Sequence, residues 1–199
     1  MSGVVAIVEG DGEVAALPIL LRRLNDWMTP DRFLQILTPI RVRRERFLNR
    51  EEEFRRHLLL ASAKCGEQGW ILILLDADDD CPAELGPRIQ EQAQQLIPHR
   101  RISVVLVNRE YEAWFIAGAL SLRGKRGFQL DDVEIVVDAE TPRDAKGWIK
   151  KHMASRSYGE TTDQPAFSSL VDLQLVHERS RSFRKLCSEW VKQQLVVDQ

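Results

Sequence analysis

The sequence predicts an α/β fold, a mainly parallel sheet flanked by helices and followed by a helical C-terminal part. Three observations carry this expectation. Short apolar runs alternate four times with segments whose apolar residues recur at helical spacing. The runs are almost continuously apolar, as in strands covered on both faces. Acidic loops follow the first and third runs, at the strand ends where parallel sheets collect ligands.

Residues 4 to 8 form the first run, and after Glu9-Gly10-Asp11-Gly12 the positions Val14, Leu17, Leu21 and Leu24 mark a helix. A second extended run, 33 to 42, precedes an Arg/Glu-rich stretch in which Phe54, Leu58 and Ala61 share a helix face. The third run, 70 to 75, stops at Asp76. Leu85, Ile89, Ala93 and Leu96 define a helix between Pro82 and Pro98, and residues 102 to 107 form the next strand. Beyond Arg109 the pattern predicts a helix over 110 to 120, a turn over 123 to 127 and a weak strand over 134 to 137. Thr141-Pro142 reads as a helix start, with Thr141 as cap and Pro142 at the first position. The tail, 167 to 195, reads as two helices, one carrying Leu170, Leu173 and Val176 and the other Phe183, Leu186 and Trp190. Residues 1 to 140 are expected to form the α/β core, and 141 to 199 a mainly helical extension packed on it.

At 199 residues and 44% hydrophobic content, the chain can build a well-cored domain. Lys and Arg total 28 against 30 Asp and Glu, so any nucleic-acid contact must come from local patches. The first residues have no basic segment and meet a carboxylate at Glu9, and no apolar run reaches 18 residues, so neither a signal peptide nor a membrane span is expected. Cys65, Cys81 and Cys187 are scattered, as expected of reduced thiols in a cytoplasmic protein. The four histidines show no zinc-site spacing.

The third run ends in Asp76, Asp78, Asp79 and Asp80. Side chains alternate along an extended chain, so Asp76, Asp78 and Asp80 could face one point and suit a hard cation such as Mg2+ or Mn2+. A solvated acidic turn capping the next helix is the competing explanation. Glu9 ends the first run and Glu13 lies in the first turn of the following helix, where it would also favour the helix dipole. Two acidic clusters at one sheet edge repel each other strongly, which tips the balance toward a bound cation. An EF-hand is excluded, because loop position 6 is Cys81 and position 12 is Pro87. No phosphate-binding Gly-x-x-x-x-Gly-Lys-Ser/Thr run occurs.

Four stretches carry a family resemblance: Val8-Glu9-Gly10-Asp11-Gly12-Glu13, Leu75-Asp76-Ala77-Asp78, the run from Asn108-Arg109-Glu110-Tyr111-Glu112 to Ala113-Trp114-Phe115, and Ser180-Arg181-Ser182-Phe183. In this order they resemble the Toprim domain. More narrowly, the chain is similar to the Toprim-like domain-of-unknown-function family 4276, related to the Toprim nucleases of the OLD type. The resemblance implies a Toprim-like (Rossmann-like) fold and Mg2+- or Mn2+-dependent cleavage of DNA or RNA. Glu9 would then be a metal ligand or general acid/base, Asp76 and Asp78 metal ligands, and Glu13 the second acidic position of a two-metal site. Glu110 or Glu112 could complete that site, with Glu112 preferred, and Asp80 is a further candidate ligand. Lys146 matches by approximate position a late lysine that offsets phosphate charge, although an exposed lysine is the commoner case. The resemblance further implies a separate ATPase subunit as a partner, as proteins of this kind often have, and a role in phage defence. A non-catalytic Toprim-fold partner or nucleic-acid-binding subunit is the alternative.

Arg41, Arg43, Arg44, Arg46, Arg50, Arg55 and Arg56 form the densest basic patch, interrupted by Glu45 and by Glu51, Glu52 and Glu53. Such mixed charge is more often a solvated helix than a nucleic-acid surface. Arg179, Arg181, Arg184 and Lys185 carry the same ambiguity. The five tryptophans are expected to pack in the core or an interface.

Overall fold

The computed structural model describes residues 3 to 132, 138 to 154 and 156 to 195. Its first half runs β1 (Gly3–Val8), α1 (Asp11–Met28), β2 (Gln35–Ile36), β3 (Ile40–Arg41), α2 (Arg44–Asn49), α3 (Glu51–Cys65), β4 (Trp70–Asp76), α4 (Pro82–Leu96) and β5 (Arg101–Val107). All pairings among these strands are parallel, in the order β2-β1-β4-β5, with β3 also on β1. The second apolar run is split into β2 and β3 by Thr38-Pro39, where proline lacks the N–H a ladder needs.

Alternation along the strands divides the apolar side chains between two cores. Val4, Ala6, Val8, Trp70, Leu72, Leu74, Val105 and Val107 face α1 and the C-terminal helices. Val5, Ile7, Ile71, Ile73, Leu75, Val104 and Leu106 face α2, α3 and α4 through Phe47, Phe54, Leu58, Ala61, Ile89 and Ala93. The predicted α/β class is therefore the observed one, and the helix on Phe54, Leu58 and Ala61 is α3.

The second half departs from the predicted pattern in three places. The helix expected over 110 to 120 is broken into α5 (Ala113–Ala117) and α6 (Ala119–Leu122) at Gly118, where a Cβ would overlap the Val171 side chain. The helix expected from Thr141-Pro142 starts later, as α7 (Ala145–Lys151), because the Asp144 side chain accepts from the Gly147 N–H at 2.6 Å and supplies the cap. The tail holds three helices, not two: α8 (Glu160–Leu170), α9 (Leu173–Arg179) and α10 (Arg181–Leu195). The strand expected over 134 to 137 lies outside the described residues. No helix among the described residues is long and apolar enough to cross a membrane.

Two stretches that carried the family resemblance meet inside the first core. Ser180 accepts from the Phe183 N–H at 3.2 Å and so caps α10. Ser182 accepts from the Trp114 indole at 2.9 Å, and Phe183 packs edge-on against Trp114 with centroids 5.3 Å apart. Glu140 ties the junction together, accepting from the Arg181 N–H at 2.8 Å and from the Asn108 amide at 3.1 Å. Trp70, Trp114 and Trp190 are fully buried, Trp148 stacks on His152, and Trp27 is exposed.

Helix α8 lies close on α1. A Cβ at Gly12 would overlap Gln164 Oε1 and come within 2.9 Å of the Glu160 carbonyl oxygen. Gly12→Ala is therefore expected to lower the unfolding free energy by about 1–3 kcal/mol, the usual cost of overpacking. Urea denaturation measures this, and an unchanged midpoint contradicts the close packing of α1 and α8.

Candidate functional site

Strands β1 and β4 are neighbours, paired through Val4↔Trp70 to Ile7↔Ile73, so their carboxyl ends emerge at one edge. Glu9 follows β1 and Asp76 is the last residue of β4. Between them sits the N-terminus of α1. Glu13, at the third helical position, folds back so that its Oε2 accepts from the N–H of Glu9, the residue before the N-cap Gly10, at 3.2 Å. Its role as a helix-start carboxylate is thus met in full, and it is nearly buried besides. Burial pushes its carboxyl up to about 7; the backbone N–H groups of Glu9 and Gly10 pull the other way, and the charges of Glu112 and Glu9 add to the rise.

Glu112 comes in from the segment after β5 and is almost wholly buried. Its Oε1 accepts from Gln164 Nε2 and from the Tyr158 hydroxyl, each at 2.9 Å. Burial still holds this carboxyl above its ordinary value, against Gln164, Lys146 and Tyr158. Glu110 takes a different part: its Oε2 accepts from the Lys146 N–H at 2.8 Å, on the first turn of α7. Lys146 is no remote surface lysine. Its ammonium group lies 3.1 Å from Glu160, and although burial lowers its pKa, the charges of Glu112, Glu160 and Glu110 outweigh that and raise it.

Asp76, Asp78 and Asp80 do not share a face. The extended chain ends at Asp76, because Ala77 N–H still donates to Val107 O but Asp78, at φ +50°, donates to Arg109 O, and the Asp80 N–H turns back to Ala77 O. Asp78 stays near Glu9, whose carboxyl is raised first by burial and then by the Asp78 charge. Asp80 points instead to Arg44, which ion-pairs with it and approaches Asp78 at 3.6 Å. Arg44 also donates to the carbonyls of Asp76 (3.0 Å) and Ala77 (3.3 Å), clamping the loop from beneath. Asp79 faces out to Arg109 and Arg143 at 3.0 and 2.7 Å, and the Arg143 hydrogen bond lowers its pKa.

Among the described residues, these contacts leave three buried acceptors at the site without a partner, Glu9 Oε2, Asp76 Oδ1 and Gln164 Oε1. The Asp76 carboxyl is driven well above its ordinary value by burial, with the charges of Glu13, Glu112, Glu9 and Glu110 adding to it. An unpartnered buried acceptor costs about 1–3 kcal/mol, and more when charged, so two on adjacent strands call for a cation or protons. Among the described residues no group of three His, Cys, Asp or Glu side chains is already gathered as a metal-binding set. Mg2+ suits such a site, since it keeps several waters and often takes only one or two carboxylates. Glu9 and Asp76 could hold such an ion, with Asp78 close to Glu9, and Glu13 and Glu112, each already engaged by donors, close to Asp76.

A cleft of about 470 Å3 opens above Glu9 and Asp78, walled by Arg41, Arg43, Arg44, Glu45 and Arg46. The family model for a domain of unknown function, DUF4276, matches residues 8 to 189. The chain belongs to the DUF4276 family. No curated protein and no solved structure matches it. In this DUF4276 chain the matched span takes in every candidate residue from Glu9 to Lys146 and all of α8. Two residues at the site have no forewarning in the sequence pattern, Tyr158 and Gln164, which sit among polar residues with no motif; Arg44 is one of the basic patch, but its clamp on the Asp76 loop is not legible there.

Because Glu9, Glu13, Asp76 and Glu112 are all held above their ordinary values, their protonated forms favour the fold. For Glu13 that contribution is complete below its ordinary value of 4.5 and is lost as pH rises through about 7. The Tm of the metal-free protein in EDTA is thus expected to fall between about pH 5 and 8, and to fall less in Glu13→Gln; a flat profile in the wild type contradicts this. At pH 7.5, Mn2+ at a hundredfold excess over its Kd is expected to raise Tm by about 5 °C or more. Asp76→Asn should show no such rise, and an equal rise in both proteins removes Asp76 from the ligand set.

Proposed function

We propose that this protein is a Toprim-like, Mg2+- or Mn2+-dependent phosphodiester hydrolase acting on nucleic acid. The observation that carries the proposal is the pair of partnerless buried oxygens, Glu9 Oε2 and Asp76 Oδ1, at adjacent strand ends beneath an arginine-walled cleft. Adjacency of β1 and β4 supports the Toprim-like relationship, because it brings the Glu-Gly turn and the Asp-x-Asp turn to the same edge.

Glu9 and Asp76 would hold the cation, with Asp78 beside them. Bound there, Mg2+ or Mn2+ supplies Lewis-acid stabilisation of charge developing on a phosphoryl group. Glu9 is either a ligand of that cation or, with its carboxyl raised by burial, the general acid/base. Lys146, already drawn toward Glu112 and Glu110, can exchange its Glu160 contact for a phosphate oxygen and offset negative charge there. Glu13 and Glu112 fix the start of α1 and the seat of α8. The separate ATPase partner and the role in phage defence rest on the resemblance alone.

A second reading is favoured by the pairings already made: Asp78 with Arg44, Lys146 with Glu160, and Glu112 with Tyr158 and Gln164. A non-catalytic nucleic-acid-binding subunit with a structural cation would need no rearrangement of these contacts.

Incubation with single- and double-stranded DNA and RNA, in Mg2+ or Mn2+, separates the two. Metal-dependent cleavage is expected, reduced at least about 100-fold in Glu9→Gln and in Asp76→Asn, as for loss of a general base or a metal ligand. If none of the four substrates is cut while Mn2+ still raises Tm, the hydrolase proposal fails and the binding subunit stands.

A further inference from the structure

The wall of the cleft on the α2 side contains two arginines that the fold does not use. Arg41 donates to the Glu9 carbonyl at 3.2 Å and pairs with Asp11 at 3.1 Å, and Arg44 clamps the Asp76 to Asp80 loop. Both have structural employment. Arg43 and Arg46, by contrast, are exposed at the same cleft, and among the described residues neither guanidinium has a hydrogen-bond or ion-pair partner. Arg43 is the extended residue just before α2 and Arg46 lies in the first turn of that helix, and both line the cleft. The orientation of α2 is set from below by Phe47, buried against Phe54 and His57.

We infer that Arg43 and Arg46 form a backbone-phosphate site that carries a nucleic-acid strand over Glu9 and Asp78. This rests on the hydrolase proposal for what happens at the carboxylates, but not for the binding itself. The charge pattern fits a polyanion that crosses the cleft: free cations on the wall, carboxylates on the floor, and a single acidic wall residue, Glu45. Arginine is suited to this because its planar fork takes two phosphate oxygens at once. Among the described residues no aromatic side chain lines the cleft, which leaves no platform there on which bases could stack. Recognition is then through phosphates and is indifferent to base sequence.

Fluorescence anisotropy of labelled DNA and RNA strands of about 20 nucleotides, in EDTA so that nothing is cut, tests this directly. Compared with wild type, the double variant Arg43→Ala/Arg46→Ala is expected to bind at least about tenfold more weakly at 100 mM salt. The slope of log K against log salt should become shallower by about 1.4 for single strands or 1.8 for duplexes. The loss should be equal for unrelated sequences, and the DNA and RNA arms decide which backbone is preferred. Arg22→Ala/Lys192→Ala, two exposed cations away from the cleft, should bind as wild type. The inference is overturned if the Arg43/Arg46 variant binds like wild type, if both double variants lose affinity equally, or if wild type binds neither DNA nor RNA. It survives failure of the hydrolase proposal: binding lost in the Arg43/Arg46 variant but no cleavage by wild type leaves the phosphate site standing. Conversely, cleavage and binding unaffected by the double substitution remove this site and leave the carboxylate centre.

Discussion

Crowding of carboxylates at the carboxyl edge of two adjacent parallel strands is the constraint from which the surrounding structure follows. Glu9, Glu13, Asp76, Glu110 and Glu112 act on one another across this edge, and burial strengthens every repulsion. The fold answers most of them individually. Glu13 is held by backbone N–H at the head of α1, Glu110 by the head of α7, and Glu112 by Tyr158 and Gln164. Arg44 gathers Asp78 and Asp80, and Lys146 offsets the field from the rim. Among the described residues, Glu9 Oε2, Asp76 Oδ1 and Gln164 Oε1 remain buried without a partner, and the first two are where the proposed cation would bind.

Seen this way, the C-terminal helices are part of the site. Tyr158 leads into α8, Gln164 lies within it, and α7 contributes Lys146. Their seat depends on Gly12, which lets α8 come down onto α1, and on the Trp114, Ser182 and Phe183 contact that fixes α10. A buried anchor holds this half: Asp163 accepts from the Gly159 N–H at 2.8 Å and from Arg156 at 2.9 Å. Substitutions that loosen these contacts should therefore disturb the carboxylate edge without touching it.

Much of this was legible in the sequence, for identifiable reasons. Strands flanked by apolar faces announce themselves, so β1, β4, β5 and the class of fold could be read directly, and with them the edge shared by Glu9 and Asp76. Alternation does not carry past Asp76, because the extended backbone ends there and Asp78 has a positive φ; Asp80 pairs with Arg44, while Asp78 stays close to Glu9. Helix α8 was seen only from residue 167 onward because part of its buried face is polar, Asp163, Gln164 and Ser168, which apolar periodicity cannot register. That same polar face is what meets Glu112 and Gly12. The stretches around Trp114 and Ser182 helped to identify the family, yet their contacts with each other are structural, whereas Glu110 and Glu112 in the same stretch reach the site. Lys146 looked like an ordinary exposed lysine until the fold brought α7 against Glu110.

The central claim is that Glu9 and Asp76 are left unpartnered by the protein because a divalent cation completes them. Anomalous diffraction from crystals grown with Mn2+ tests it most directly. The account predicts a peak about 2.0–2.4 Å from carboxylate oxygens of both Glu9 and Asp76, the range expected for oxygen ligands of such ions. A Mn2+ peak bound only elsewhere, or an empty strand edge with both carboxyls protonated or bridged by water, contradicts it.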